Sequence, residues 1–131
     1  FREMKKAIVI IILGLLWCNV GFAEWKIIYF HKGYGGTEHY IDKSKIKRDG
    51  STVYYWHLVN FLKKDVDRDY MSTFTYSVVD CKILRGKSLE FVGKSLQMGE
   101  GETVFTYTPP DEWEYPSPGS VREHTYSEVC N

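Results

Sequence analysis

Residues 51–62, STVYYWHLVNFL, form the stretch that decides the fold of this chain. A β-strand points successive side chains to opposite faces of its sheet, and here both alternating sets are largely apolar. One set contains Val53, Tyr55, His57, Val59 and Phe61, and the other contains Tyr54, Trp56 and Leu58. Because a strand that is apolar on both faces is typical of a sheet covered on two sides, the stretch predicts a central strand.

Five further segments with a two-residue period lie on either side of this strand, at residues 25–30, 38–42, 72–81, 87–98 and 103–108. The glycines of residues 33–36 predict a hairpin between the first two segments, and Asp49-Gly50 predicts another turn. Asp42 predicts the cap of a single helical turn over residues 42–46, and Gly93 predicts a bulge.

The segment 72–81 differs from the central strand because small polar residues alternate with apolar ones. The polar set is Thr73, Thr75 and Ser77, and the apolar set is Phe74, Tyr76 and Val78. This alternation predicts a strand with one solvent-exposed face.

The end of the chain has a helical pattern. Ser120 followed by Glu123 matches a capping box, and Val121, Thr125 and Val129 recur at helical spacing. A helix of about ten residues is marginal by itself, so it needs a surface to pack on. The sequence therefore predicts an α+β fold, with a single antiparallel sheet of about six strands packed by a C-terminal helix.

The first 23 residues resemble a targeting signal. Met4, Lys5 and Lys6 form a basic start, residues 7–17 carry no charge, and the small residues Gly21 and Ala23 fit a signal peptidase site. We therefore predict a signal peptide over residues 1–23, with residues 1–3 upstream of it, and a single domain over residues 24–131. The apolar run is too short for a membrane anchor.

A lipid anchor at Cys18 is the alternative to simple cleavage. Lipidation requires a small residue before the cysteine, and the bulky Trp17 stands there. We therefore favour an exported chain that is free of a lipid anchor and has no membrane span after cleavage.

Cleavage leaves two cysteines, Cys81 and Cys130, in an exported chain. An even number of cysteines in an oxidising compartment predicts a disulfide, and two cysteines allow one pairing. That bond would pin the predicted helix to the strand that ends at Cys81. A reactive Cys81 or a metal pair is the alternative, and it lacks the C-x-x-C spacing that such sites commonly use.

Composition and charge narrow the function classes. The 131 residues carry a net charge of zero, which disfavours nucleic acid as a partner because no basic surface attracts phosphates.

Asp65, Asp67 and Asp69 are spaced like calcium ligands, but Tyr70 stands where the calcium loop needs glycine. The four histidines, His31, His39, His57 and His124, form no metal-binding spacing. We predict no catalytic site, no metal and no cofactor.

Aromatic residues are abundant, with 10 Tyr, 7 Phe and 4 Trp. Tyrosine and tryptophan anchor many protein interfaces because they bury large areas at small entropic cost. One short helix does not cover both faces of a sheet, so part of this aromatic surface is expected to be open. The candidate interface residues are Tyr54, Trp56, Tyr76 and Tyr107; the alternative is that these side chains belong to the core.

Several short motifs follow one another along residues 24–131. They are Glu24-Trp25-Lys26-Ile27, Tyr40-Ile41-Asp42-x-Ser44-x-Ile46, Asp49-Gly50, Val53-x-x-Trp56-x-Leu58, Ser77-Val78-Val79-Asp80-Cys81 before Lys82 and Arg85, Trp113-x-x-Pro116-x-x-Gly119-Ser120, and a terminal helix ending in Cys130. In order and spacing they resemble the bacterial surface-adhesin protein E family. The resemblance implies the sheet, helix and disulfide described above, and no enzymatic activity.

The resemblance also implies an envelope or surface protein that binds other proteins, such as host matrix and plasma proteins. We therefore expect an exported, non-enzymatic binding protein of the periplasm or cell surface, with extracellular or envelope proteins as partners. Two alternatives are a structural envelope protein and a small periplasmic enzyme inhibitor that uses the loop at residues 63–70 or 109–118. An enzyme would need a polar pocket around a group such as Asp80 or His57.

Overall fold

A computed structural model describes residues 23–131, so Cys18 and the predicted signal peptide, apart from its last residue Ala23, lie outside the described residues. The elements in chain order are the strands β1 (Trp25–His31), β2 (Thr37–Asp42), β3 (Lys47–Asp49), β4 (Thr52–Phe61), β5 (Ser72–Asp80), β6 (Arg85–Lys94) and β7 (Thr103–Tyr107), and the helix α1 (Val121–Cys130). No helix in this part of the chain has the length and apolar character needed to cross a bilayer.

The strands form one antiparallel sheet in the order β1-β2-β4-β5-β6-β7, and β3 pairs with β4 outside this path. The predicted α+β fold, with about six strands and a C-terminal helix, is confirmed. The seventh strand, β3, was not predicted because it spans three exposed residues. The predicted cap is also present, since the Asp42 side chain accepts a hydrogen bond from the Ser44 backbone N–H.

Strand β6 begins and ends earlier than the predicted segment 87–98. The predicted bulge at Gly93 is present as a register shift in the pairing of β6 with β7. Beyond Lys94 the chain leaves the sheet, and Met98 has a left-handed backbone with φ of 57°. Apolar side chains at Leu96 and Met98 therefore continued the alternating pattern past the point where the strand ends.

The helix packs on the sheet face that carries Val53 and Tyr55, which we call the helix face. The core on this side consists of Ile41, Val53, Tyr55, Val79, Tyr126 and Val129, all at most 5% exposed. Tyr126 approaches the β6 backbone at Gly86, where an added Cβ would come within 2.5 Å of the ring. The small size of Gly86 therefore allows the helix to lie close to the sheet.

Two contacts fasten the C-terminal end of α1. The predicted disulfide joins Cys81, at the end of β5, to Cys130, the last residue of the helix, with a Cα–Cα distance of 5.6 Å. Arg48 on β3 donates hydrogen bonds to the backbone oxygens of Val129 and Asn131. An arginine at this position satisfies helix carbonyls that have no partner within the helix. The unpredicted strand β3 thus carries a helix-capping side chain.

The capping box at the other end of α1 has a small variation. The Glu123 N–H donates to the Ser120 side chain at 3.1 Å, as predicted, while the Glu123 carboxylate accepts from the N–H of Gly119. Side chains therefore bind backbone groups at both ends of the helix: Ser120 and Glu123 at its start, and Arg48 at its end.

The prediction of a solvent-exposed polar face on β5 is wrong. Thr73 and Ser77 are 2% and 6% exposed and lie on the helix face, with Thr75 between them along the same face. Larger side chains from neighbouring strands lie beside Ser77 and Thr73, because Tyr55 is paired with Ser77 and Phe105 lies against Gly93 beside Thr73. Size complementarity between strands outweighed the polarity of the hydroxyl groups.

Candidate functional site

The opposite face of the sheet, which carries Trp56 and is called the open face here, bears a continuous row of aromatic rings. Centroid distances between successive rings are 5.6, 6.2, 4.8 and 6.1 Å, each within the range of aromatic contacts. We call this row the aromatic ribbon; in spatial order it consists of Trp25, Phe74, Trp56, Tyr76 and Tyr54. All five side chains are partly exposed.

Strand register places these rings together. Trp56 on β4 is directly opposite Tyr76 on β5, and Leu58 is opposite Phe74. Directly opposed side chains lie close across antiparallel strands, and diagonal neighbours remain within reach of aromatic rings. The ribbon thus follows from the alternation of β4 and β5, combined with the pairing that aligns their apolar sets.

One end of the open face is covered by the turn that follows β6. The backbone N–H of Met98 donates to the Asn60 side chain, and the N–H of Gly99 donates to the Ser72 hydroxyl. Gly99 lies against the ring of Phe74, where an added Cβ would be 2.0 Å from the nearest ring carbon. This turn therefore closes the face over Asn60 and Ser72, whereas the helix lies on the other side of the sheet.

Charged side chains border the ribbon at both ends. A pocket of about 270 Å³ is lined by Trp25, Trp56 and Phe74 together with Asp42 and Lys45. A second pocket of about 290 Å³ lies at the other end, where Lys47, Arg48 and Asp49 surround Tyr54 and Tyr76. An apolar centre with a charged border is the usual arrangement in protein interfaces.

Tyr107 lies apart from the other three predicted interface residues. It is 55% exposed and lines a cleft of about 540 Å³ on the helix face. The cleft lies between α1 and strands β4–β7, and its polar lining includes His57, Ser88, Arg122 and Glu114. The structure thus brings Tyr54, Trp56 and Tyr76 together on the open face and places Tyr107 on the opposite side.

His57, which lines this cleft, forms a pair with His39 on the neighbouring strand β2. The His39 Nδ1 and His57 Nε2 atoms are 3.0 Å apart, a hydrogen bond that requires one ring to donate and the other to accept. Burial, reinforced by His39, lowers the pKa of His57 to about 3, and burial together with His31 lowers the pKa of His39. Both rings are therefore neutral at pH 7.

Two tyrosines of the cleft, Tyr55 and Tyr126, are also neutral at pH 7. Burial raises the pKa of the Tyr55 phenol, and the nearby Tyr126 adds to this increase. Burial is the main cause of the raised pKa of Tyr126 as well. A phenol with a raised pKa keeps its proton at pH 7, so these hydroxyl groups can donate and accept hydrogen bonds within a packed region.

The remaining sequence candidates have structural contacts. Asp80 accepts a hydrogen bond from the Lys82 N–H and lies 3.7 Å from Arg85. Asp65, in the loop that resembles a calcium site, accepts from the Asp67 N–H. Within residues 23–131, no group of three or more His, Cys, Asp or Glu side chains could hold a metal ion.

Sequence reasoning identified Trp56, Tyr54 and Tyr76 as candidates but did not include Trp25 and Phe74. Trp25 belongs to the first strand and Phe74 to the apolar set of β5, so the alternation already placed each on a defined face of its own strand. The missing information was the tertiary packing: β1 and β5 lie on opposite sides of the β2–β4 pair, and Trp25 reaches across these strands to stack on Phe74.

Comparison with known proteins places this geometry in context. The family model of surface-adhesin protein E matches residues 28–131. No curated protein sequence is significantly similar to the chain. Crystal form II of Haemophilus influenzae protein E superposes with a TM-score of 0.57 at 16% identity, covering 79% of this chain and 86% of that one.

A second solved structure, protein E from non-typeable Haemophilus influenzae, superposes with a TM-score of 0.52 at 13% identity. It covers 84% of this chain and 78% of the other. At these identities the superpositions show a shared fold, and the family match extends over most of the chain. This chain therefore belongs to the surface-adhesin protein E family.

Proposed function

We propose that this protein is an exported, non-enzymatic binding protein of the cell envelope, and that it contacts extracellular or envelope proteins through the aromatic ribbon. The observation that carries the proposal is the position of the five rings. They form an unbroken row of partly exposed side chains on the sheet face opposite the helix, outside the core cluster that the helix closes.

The chemistry of the ribbon favours a protein partner. Tryptophan and tyrosine bury large areas with few rotatable bonds, and the ribbon contains two of each. The two flanking pockets, at about 270 and 290 Å³, are each smaller than the sites that typically enclose a drug-sized ligand. They suit single side chains of a partner that lies across the sheet.

The other features of the chain are consistent with an exported binding role. A disulfide persists in oxidising compartments, and the family is named for surface adhesins. The described residues also present no evident catalytic group, since His57 is held neutral by burial and bonded to His39, and Asp80 faces Arg85. A predicted signal peptide with a poor lipidation site favours a chain that is free in the periplasm or at the surface.

Binding assays with matched variants test this proposal. The exported protein is measured against immobilised extracellular-matrix proteins, plasma proteins and envelope extract. Replacing both Trp56 and Tyr76 by Thr keeps strand-forming residues while removing the central rings, and we expect binding to weaken by about tenfold or more. The matched control is Tyr107→Thr, which removes an exposed strand tyrosine from the opposite side of the sheet.

The outcomes separate the two faces. Loss of binding in the ribbon variant with retention in Tyr107→Thr supports the open face as the interface. The reverse pattern would place the interface at the cleft, and a chain that binds none of the immobilised proteins would contradict the binding function itself. Circular dichroism of each variant establishes that the sheet is intact.

One loop supports enzyme inhibition as a second candidate function. Val66 at its tip is fully exposed, and Arg68 holds the loop by donating to the Lys63 and Tyr70 carbonyl oxygens. The Arg68 guanidinium also lies 3.9 Å from the centroid of Phe61. A braced loop with an exposed apolar tip could enter an enzyme pocket, so inhibition of secreted proteases that is abolished by Val66→Asp would favour this alternative.

A further inference from the structure

We propose that Asp42 is the receptor for the mature amino terminus, so that cleavage after Ala23 creates an ion pair between the Glu24 α-ammonium group and the Asp42 carboxylate. This inference concerns maturation of the chain and is independent of the binding role. In the folded chain the Asp42 carboxylate would then hold the new amino terminus that cleavage after Ala23 creates.

The geometry around Asp42 already converges on one oxygen. Its Oδ1 atom accepts hydrogen bonds from the Glu24 backbone nitrogen at 3.1 Å, from the Ser44 N–H at 3.0 Å and from the Ser44 hydroxyl at 2.6 Å. The residue is only 1% exposed. A carboxylate that is removed from water in this way is costly unless charged or hydrogen-bonding groups compensate it.

No cationic side chain among the described residues forms an ion pair with Asp42. The ion pairs found in residues 23–131 involve other carboxylates, and Lys45 lines the neighbouring pocket without entering such a pair. In the precursor the Glu24 nitrogen belongs to a neutral peptide bond. Cleavage turns the same atom into an ammonium group, which supplies the missing positive charge within hydrogen-bond distance.

A second contact holds Glu24 in position. Its carbonyl oxygen accepts a hydrogen bond from the Lys43 N–H at 3.0 Å, so both backbone polar groups of Glu24 bind the turn that Asp42 caps. Ala23 is exposed and contributes to the wall of the pocket beside Trp25 and Trp56. Its removal would leave the ammonium group at the edge of the aromatic ribbon.

The test uses a short extension that separates charge from hydrogen bonding. The precursor is exported with Gly-Ser inserted between Ala23 and Glu24, which moves the ammonium group up to roughly 7 Å along the chain but leaves the Glu24 N–H as a donor. The extension is combined with Asp42→Asn, and thermal unfolding is measured for the four proteins. Intact mass identifies the first residue of each.

We expect the extension to lower the melting temperature by roughly 5 °C when Asp42 is present and by much less in Asp42→Asn. Equal shifts in melting temperature with Asp42 and with Asn at this position would overturn the proposal. So would an unextended mature chain that does not begin at Glu24. Should Asp42→Asn fail to fold, acylation of the α-amino group in the unextended protein provides the second measurement. The folded chain is expected to react at least about tenfold more slowly than the urea-unfolded chain, and equal rates contradict the ion pair.

Discussion

The helix face and the open face of the sheet both carry many apolar side chains, but they are completed differently. On the helix face, Tyr126 and Val129 of α1 close a core that includes Ile41 and Val79. On the open face, the five rings of the aromatic ribbon lie against one another and stay partly exposed. The difference shows that apolar content by itself does not determine whether a sheet face is covered or exposed; that depends on whether another element packs there.

The helix that covers the helix face is short, and the contacts at its C-terminal end attach it to the sheet. Arg48 binds its last carbonyl oxygens, and the disulfide joins Cys130 to the end of β5. A ten-residue helix has little stability by itself, so these attachments allow it to serve as the cover of the helix face. The open face has no equivalent attachment among the described residues beyond the turn over Asn60 and Ser72.

Removal of the disulfide should have the largest effect on stability, because the helix that covers the helix face then loses its covalent attachment to the sheet. The bond spans 49 residues, for which the chain-entropy estimate is on the order of 4 kcal/mol. We expect replacement of Cys81 and Cys130 by Ser to lower the melting temperature by roughly 15 °C. Reduction of the native protein should produce the same change and leave the variant unaffected; an unchanged melting temperature contradicts the role of the bond.

Two isoleucines test whether burial differs between the faces as described. Ile41 is completely buried on the helix face, while Ile27 on β1 is 47% exposed. Ile41→Ala should cost about 2–4 kcal/mol in the free energy of unfolding, whereas Ile27→Ala should cost roughly 1 kcal/mol or less. Urea denaturation measures both, and similar losses would show that the two faces are packed alike.

The histidine pair predicts that the helix face weakens in acid. The pKa of His57 is lowered to about 3 and that of His39 is also lowered, so the unfolded chain binds protons at these groups before the folded chain does. The contribution of His57 is complete above the unfolded pKa of about 6.5 and is lost as the pH falls toward 3, by up to about 1.4 kcal/mol per pH unit. The lowered pKa of His39 acts in the same direction.

His57→Gln is the variant that isolates this effect. Between pH 6.5 and 5, as rough limits, we expect its stability to decline less with falling pH than that of the native protein. The exposed His124 provides the control, because His124→Gln leaves the bond between His39 and His57 intact and should keep the native slope. Identical slopes in the His57 variant and the native protein would show that the pair does not control the acid response.

The smallest expected change concerns the start of the helix. Ser120 caps α1 through the Glu123 N–H, and loss of such a cap costs about 1 kcal/mol. Ser120→Ala should therefore lower stability slightly, and Ser120→Asp should restore it. If Ser120→Ala costs as much as removal of the disulfide, then the helix depends on its first turn rather than on its fastened end.

Much of this architecture was predictable from local patterns. Alternation along β4, the glycine-rich turn after β1 and the capping signal at Ser120 identified the strands, a hairpin and the helix. The two remaining cysteines allowed one disulfide. The candidate site was only partly predictable, because Trp56 and Tyr76 are on strands whose pairing could be guessed, while Trp25 enters the ribbon through the position of β1 beside β2.

Other features required the full packing of the chain. Thr73 and Ser77 of β5 are buried on the helix face, although their hydroxyl groups predicted a face exposed to solvent. The bond between His39 and His57 depends on the register of β2 against β4, which residue composition does not specify. Tyr107 was grouped with the ribbon by residue type, yet strand β7 places it in the cleft.

The sequence by itself determined the elements, their alternation and the chemistry at their ends, because these depend on neighbours within a few residues. Tertiary structure alone decided which face the helix covers and which aromatic residues meet on the other. The physical reason is that a two-residue period assigns side chains to two faces without saying which face is buried. That choice belongs to contacts between residues distant in the chain, such as Cys81 with Cys130 and Arg48 with Val129.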